Sequence, residues 1–398
     1  LTFRHRLLAT LMPGVGWLSL FAAVALTAIG ILAIQLVDPA AARKQMIFVP
    51  VALLAMLLVM LPHYRRYVDL AYPAFVVMLI LLVILLLPFM PQSIVPVRNG
   101  ARRWFDLQIG TLFQPSELMK ISYVIALAHY LRYRRNYRTV VGLLAPLLIT
   151  FVPMALILVE PDLGTATIFM PVLFAMLIAA GCKLKHIAVI VLIGAVLMPA
   201  MYPLLQPHQK QRIVAMISQI KGDPQYRSSI GFQGYKAQTL VGAGQIKGHD
   251  VEHARVLVDY NALPEPQNDM VFAVICTRAG LLGGVVVIGF YLLFMAGALL
   301  AAALNKDPFA RLVAVGIAAV VFTQMFVNTG MTVGILPITG MTLPFISYGG
   351  SSLVANFIMV GLVLNVAASR PIIMANPSFE FDRPREQPTQ RNPFGGAY

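Results

Sequence analysis

Long apolar blocks alternate with short polar connections along the whole chain. Ten blocks are long enough to cross a bilayer core as helices, which takes roughly 17–25 residues each. They run approximately Val15–Leu36, Gln45–Leu61, Leu70–Phe89, Pro115–Leu131, Val140–Val159, Thr165–Gly181, Ile187–Leu205, Asp269–Leu304, Ala310–Ile335 and Ser351–Ala368. The pattern predicts an all-α polytopic membrane protein with a large loop, about 206–268, between the seventh and eighth spans. The eighth block exceeds what a bilayer requires, so it is expected to tilt or to project.

Composition agrees. Apolar residues make up 59% of the chain and charged residues 12%, against roughly 25% charged in soluble proteins. The net charge of +14 would suggest nucleic acid in a soluble chain. Here the basic residues crowd short connections, a sign of membrane orientation and lipid contact instead. Arg4 and Arg6, Arg65 and Arg66, Arg132, Arg134, Arg135 and Arg138, Lys183 and Lys185, Lys306 and Arg311, and Arg370 all fall on one side. That side is read as cytoplasmic, with both termini on it. The first block, from Trp17 to Leu36, is too long for a signal h-region, and no cleavable leader is expected. Cys182 and Cys276 sit in or beside apolar blocks, so no disulfide framework is expected. Residues 1–370 read as one membrane domain. The tail 371–398, rich in Pro, Arg, Asn and Gln, reads as a disordered cytoplasmic segment.

Two loops on the opposite side are basic. The first, Met90 to Gln114, carries Arg98, Arg102 and Arg103 beside Trp104; the second, Gln206 to Asn268, carries Arg212 among other cations. Such loops suit an anionic, lipid-anchored substrate, although long loops translocate regardless of charge.

Chemistry is expected first at Asp269, where a long polar segment meets a long apolar one. A carboxylate there can touch a lipid-linked substrate and still exchange protons. A plain helix cap is the competing reading, since Asp before an apolar helix satisfies orphan N–H groups. Glu117 and Lys120 share a face at the start of the fourth span. Ionisable residues within a span usually face an interior or a watery cavity. Thr111 and Gln114 have capping-box spacing ahead of them, and Pro115 suits a first helical turn. Glu160 and Asp162 flank a proline in a tight turn and are candidate ligands for a divalent cation, Asp162 being also a candidate helix cap. The stretch Gly242-Ala243-Gly244-Gln245-Ile246-Lys247-Gly248 lacks the strand context of a nucleotide loop and is read as flexible turns. Segments 327–340 and 344–352 are interrupted by Gly, Pro and Ser at membrane depth, tolerable only inside protein or along a cavity.

Taken together, Gly100-Ala101-Arg102-Arg103-Trp104, Gln114-Pro115-Ser116-Glu117 with Lys120, Glu160-Pro161-Asp162-Leu163-Gly164-Thr165, Asn268-Asp269 with Phe272-Ala273-Val274, and Leu343 to Ser352 resemble the SEDS family of bacterial polytopic proteins, which includes RodA and FtsW. The resemblance runs from the first span to about Arg370. It implies a ten-span peptidoglycan glycosyltransferase that polymerises lipid II at the outer face of the cytoplasmic membrane, beside a class B penicillin-binding protein. It implies that Asp269 is the essential residue. Asn328-Thr329-Gly330-Met331 is more similar to RodA, the elongation enzyme, than to the division enzyme FtsW. One departure stands out: the family usually has a Glu-Glu pair eight and nine residues after the aspartate, and Thr277 and Arg278 occupy those positions here.

Such a reaction needs a base for the acceptor hydroxyl and positive charge for a departing pyrophosphate. Asp269 is the expected base. Arg102, Arg103, Arg212 and Lys120 are candidate anion partners, with Trp104, Glu117 and Ser347 completing the expected substrate site. Mg or Mn could share the work, although no cofactor is required by the sequence. The rival reading is a lipid II flippase, favoured by the broken segment between the ninth and tenth spans.

Overall fold

The computed structural model describes residues 14–98, 101–107, 112–132, 141–201 and 231–369, with 210, 211, 214 and 218 between them. Arg4, Arg6, Gly100, Thr111, Arg134, Arg135, Arg138, Arg212, Arg370 and the tail 371–398 lie outside the described residues.

Every expected span is a helix. They are α1 Gly16–Val37, α2 Pro39–Met60, α3 Arg65–Leu86, α4 Pro115–Leu131, α5 Leu144–Val159, α6 Leu163–Ala180, α7 Leu184–Met201, α10 Val271–Leu304, α11 Pro308–Val333 and α12 Gly350–Ala368. Among the described residues, seven of these are long and apolar enough to cross a membrane, and α4, α5 and α7 stand at the other three positions. The large loop adds two helices that hydrophobic blocks did not signal, α8 Phe232–Ala243 and α9 Val251–Asn261. A small antiparallel hairpin, β1 Phe105–Asp106 with β2 Leu112–Phe113, precedes α4.

Two helices begin five or six residues earlier than expected, because polar residues start them. Asp38 alone separates α1 from α2, and its carboxylate accepts from the amides of Ala40 and Ala41 at 3.0 Å, with Pro39 opening the helix. The second span thus starts at Pro39 rather than Gln45. Likewise α3 begins at Arg65, five residues before the expected Leu70, with its basic residues in the first turn. The eighth span differs most. It is broken at Gly280, where φ is 66° and ψ is −163°. The extra length therefore makes a second, shorter helical piece rather than one tilted rod.

Helices meet through small residues, as expected where lipid supplies no hydrophobic drive between them. Against α1, Gly297 of α10 faces Ser19, whose hydroxyl donates to the carbonyl of Phe294 at 2.9 Å. Against α2, Gly361 of α12 sits over the Met56 carbonyl. Asn365 ties the end of that seam by donating to the carbonyls of Val59 and Met60 at 3.1 Å. Helix α4 is the centre: it packs on α3, α5, α6, α11 and α12, and nearly all its residues are buried.

A methyl group on Gly361 would lie 2.6 Å from the Met56 carbonyl oxygen, a backbone atom that cannot swing away. Gly361→Ala should therefore destabilise the protein by about 1–3 kcal/mol. A Cβ on Gly289 meets nothing within 4 Å, so Gly289→Ala should be neutral or slightly stabilising. Thermal midpoints in detergent compare the two.

Candidate active site

Four segments distant in sequence meet at one end of the helices: the hairpin before α4, the α5–α6 turn, the stretch entering α10, and the α11–α12 connection. Gln114 joins three of them. Its backbone amide donates to Ser351 Oγ at 3.1 Å, and its side-chain amide donates to Ser116 Oγ at 3.0 Å and to Asp162 Oδ2 at 3.4 Å. The expected capping box involves Thr111, which lies outside the described residues. Gln114 is the N-cap residue of α4 without a side-chain capping bond, and Pro115 opens the helix as expected.

Asp162 caps α6. Its carboxylate accepts from the Thr165 amide at 3.2 Å and the Thr165 hydroxyl at 2.9 Å. Glu160, only 2% exposed, ends α5 beside it, and its Oε1 is buried without a hydrogen-bond partner. Burial pushes the Glu160 carboxyl up to about 9; the Asp162 charge adds to this, and Arg103 opposes it. Arg103 approaches through the backbone: its Nε donates to the Glu160 carbonyl at 2.9 Å and its Nη2 to the Pro161 carbonyl. Arg102 turns the other way and donates to the carbonyls of Leu87 and Pro88 at 3.1 and 3.3 Å. Each arginine thus serves carbonyls at a helix C-terminus, where cations are favoured. Trp104 is half-buried on the same loop.

Asp269 is half-buried, with Oδ1 inside the protein. It is not the helix cap. Met270 occupies that position and makes no side-chain capping bond, so Asp269 lies one residue further out. What fixes it is Asn328, fully buried in α11, which donates to the Asp269 carbonyl at 2.8 Å and to the Met341 carbonyl at 2.6 Å. Gly340, at φ +71°, passes beside the carboxylate: a Cβ there would stand 3.7 Å from Asp269 Oδ2. On its other side the same segment touches α6, since a Cβ on Gly164 would meet the Thr339 carbonyl at 3.1 Å. The start of α6 and Asp269 therefore bracket residues 339–341.

The rest of the connection is held as tightly. The Tyr348 amide donates to the Gln267 carbonyl at 2.9 Å. Gln45 of α2 donates to the Ser347 carbonyl at 3.3 Å and accepts from the Gly349 amide at 3.1 Å. Phe345 sits at φ +66°, a strained conformation for an aromatic residue, between the rings of Phe294 and Phe357. The Tyr348 phenol is pushed up by burial and by Asp38, against the pull of Arg98, which brings those two charges to this side of the site. Ser347, expected among substrate ligands, has its hydroxyl turned inward to accept from the Leu343 amide at 2.7 Å, and serves the loop instead. Asn328 and Gln45 were missed as site-builders, although a side-chain amide inside an apolar block is itself a signal of a buried polar partner.

One turn into α4, Lys120 Nζ lies 2.9 Å from Glu117 Oε2, with both residues buried. The shared helical face holds, and the two charges on it pair with each other. A cation between Glu160 and Asp162 fits less well. The oxygens of Asp162 are committed to Thr165 and Gln114, and no cluster of three or more His, Cys, Asp or Glu occurs among the described residues.

These features define a multi-pass membrane protein with a carboxylate site at one end of its helices. Residues 6–371 match the family model described as "Cell cycle protein", that of FtsW, RodA and SpoVE. The chain belongs to that family. It is 31% identical over 328 residues to stage V sporulation protein E of Bacillus subtilis (strain 168), covering 82% of this chain and 86% of the relative. It is 30% identical to peptidoglycan glycosyltransferase MrdB of Escherichia coli (strain K12), covering 70% and 74%. A solved structure described as "Structural coordination of polymerization and crosslinking by a peptidoglycan synthase complex" superposes with a TM-score of 0.74 at 31% identity, over 88% of this chain and 97% of that one.

Two outcomes are expected. Lys120→Met alone leaves Glu117 as an uncompensated buried charge and should cost about 3–5 kcal/mol. Pairing it with Glu117→Gln should recover most of the thermal stability, so any activity still missing in the double variant measures a direct role. The second concerns Glu160, whose ordinary value is 4.5 and whose folded value is about 9. The folded state then holds a proton that the unfolded state releases, so the contribution of Glu160 to stability is full below about 4.5 and is lost as pH rises toward 9. Glu160→Gln should flatten that slope in thermal midpoints taken from pH 5 to 9.

Proposed function

We propose that this chain is a peptidoglycan glycosyltransferase polymerising lipid II into glycan strands, with Asp269 as its general base. The observation that carries the reading is the placement of Asp269. It is one oxygen deep in protein, at the head of a buried helix, and clasped through its own backbone by Asn328. In the plain alternative this carboxylate would cap the helix, but Met270 holds the cap position.

In this reading the acceptor sugar's 4-hydroxyl loses its proton to Asp269 as its oxygen bonds to the anomeric carbon of the lipid-linked donor. The bond from that carbon to the pyrophosphate breaks, and the leaving group departs with its electron pair. Arg102 and Arg103, half-exposed just before β1, are candidates to meet it. Arg212 remains a further candidate. Lys120 is enclosed with Glu117 near the start of α4. Trp104 offers an apolar face to sugar or lipid. No step is routed through Mg or Mn, because Asp162 is already committed to α6.

The asymmetry of basic connections supports a site on the outer face of the bacterial cytoplasmic membrane, with both termini inside. Residues 1–370 form the catalytic membrane domain and 371–398 a cytoplasmic tail in this scheme. The relative described in terms of polymerisation and crosslinking supports a class B penicillin-binding protein as partner. Asn328-Thr329-Gly330-Met331 supports a RodA-like role in elongation.

The test is Asp269→Asn, assayed on labelled lipid II in detergent with the partner transpeptidase present and glycan length read on a gel. An amide keeps the shape and removes the base, so polymer formation should fall by about 10²–10⁴-fold. Expression and complex formation should stay near wild type. Near-normal polymer from this variant would end the catalytic reading and return the flippase reading to first place.

A further inference from the structure

The break in α10 is closed by the glycine-rich stretch that follows α8. A broken helix leaves backbone N–H and C=O groups unmet, and inside protein they need partners. Past the break, the amides of Leu281 and Leu282 donate to the carbonyls of Gln245 and Ile246 at 2.8 and 3.2 Å. Before it, the Thr277 carbonyl accepts from the His249 amide at 3.2 Å. The two backbones touch directly. A Cβ on Gly244 would lie 1.9 Å from the Cys276 carbonyl oxygen, and one on Gly280 would lie 2.3 Å from that of Ile246. The stretch expected to make flexible turns is a fitted backbone dock, and its glycines are what permit the approach.

Two side chains complete the dock. Thr277 is fully buried, and its hydroxyl donates toward the carbonyls of Ala273 at 2.9 Å and Leu240, the latter on α8, at 3.1 Å. Arg278 is exposed, and its Nη1 donates to the His249 carbonyl at 2.6 Å. Both act as donors to carbonyl oxygens. An ionised carboxylate has no proton to give, so the acidic pair that the resemblance leads one to expect here could make neither bond. The identities of these two residues are matched to the dock.

The dock lies at one end of a short helix, and Asp269 lies at the other. Residues Val271 to Thr277 are all buried, so the piece has no solvent-facing side on which to relax. A helix of this length holds its place through tertiary contacts, not through its own propensity. Its fixed points are Asn328 at the Asp269 carbonyl and the dock about 12 Å away, at 1.5 Å per residue. We infer that Thr277 and Arg278 are positioning residues for Asp269, acting through the dock between the α10 break and residues 240–249. The catalytic part of this inference rests on Asp269 being the base, as proposed above.

The experiment uses the full chain in complex with its partner transpeptidase, in detergent. Thr277→Val keeps the volume and removes the hydroxyl. Arg278→Ala removes an exposed donor and leaves the core untouched. Thr277→Ser restores the hydroxyl and is the rescue. Two readouts are taken: amide hydrogen exchange over 240–249 and 268–282, and kcat and KM on labelled lipid II. In the Thr277→Val/Arg278→Ala variant, faster exchange should appear at the dock and extend to 268–273. With it, kcat should fall on the order of ten- to a hundredfold, as for a reacting group displaced by a fraction of an ångström to one ångström, while KM moves less than about twofold. Arg278→Ala alone should show a smaller change of the same kind, and Thr277→Ser should behave as wild type.

Faster exchange confined to the dock, with 268–273 and kcat unchanged, would overturn the inference. So would a fall in kcat without any change in exchange, or a Thr277→Ser variant as impaired as Thr277→Val. If the wild type itself makes no polymer, the glycosyltransferase reading fails, and the exchange at 268–273 alone decides whether the dock positions Asp269.

Discussion

The carboxamide of Asn328 is the bond on which the site depends. It is buried in α11 and donates at once to the carbonyl of Asp269 and to that of Met341, so two irregular segments are fixed relative to one helix. The Gln45 carboxamide likewise bridges Ser347 and Gly349, and that of Gln114 bridges Ser116 and Asp162. All three residues are neutral amides. A neutral amide can be buried at far lower cost than a charge, and it can donate and accept at the same time. Irregular backbone at membrane depth needs such partners, because no water is present to supply them. The α11–α12 connection, read from sequence as the broken segment of a transporter, is clasped from both ends and across its middle. That rigidity suits a site that must hold a carboxylate still.

Much of the fold was legible because bilayer thickness imposes one length on every apolar block. What the blocks could not announce were starts made by polar residues. Asp38 and Pro39 begin α2 well before its apolar run, and Arg65 and Arg66 lie inside α3. Helices α8 and α9 were invisible for the same reason: they lie in a polar loop and are stabilised by contact with α10. The motifs of the site were legible as isolated stretches. Their convergence was not, since the residues that meet at Gln114 come from positions 48 and 237 residues away. Asp269 shows the limit most clearly. Its place at a polar-to-apolar junction was readable, but whether it caps the helix turned on a single residue of register, and Met270 takes that position.

The two parts of α10 live in different surroundings. Before Gly280 the helix is enclosed by protein on every side, from Val271 to Thr277. After it, Leu281, Leu282, Val285 and Val286 are exposed, as lipid-facing residues are. A continuous rod would have carried the same face from one environment into the other. The interruption lets each part present the side chains that its own surroundings require, and Gly280 is the residue whose backbone can make that turn.

The hairpin before α4 is fastened by arginines, yet their hydrogen bonds go to the carbonyl oxygens of Leu87, Pro88, Glu160 and Pro161 rather than to carboxylates. An attachment built from surface ion pairs weakens as dissolved electrolyte screens it. One built from short hydrogen bonds to backbone oxygens has little to screen. The mouth of the site should therefore keep its shape as ionic strength changes, while any long-range attraction it exerts on an anionic ligand rises and falls with it.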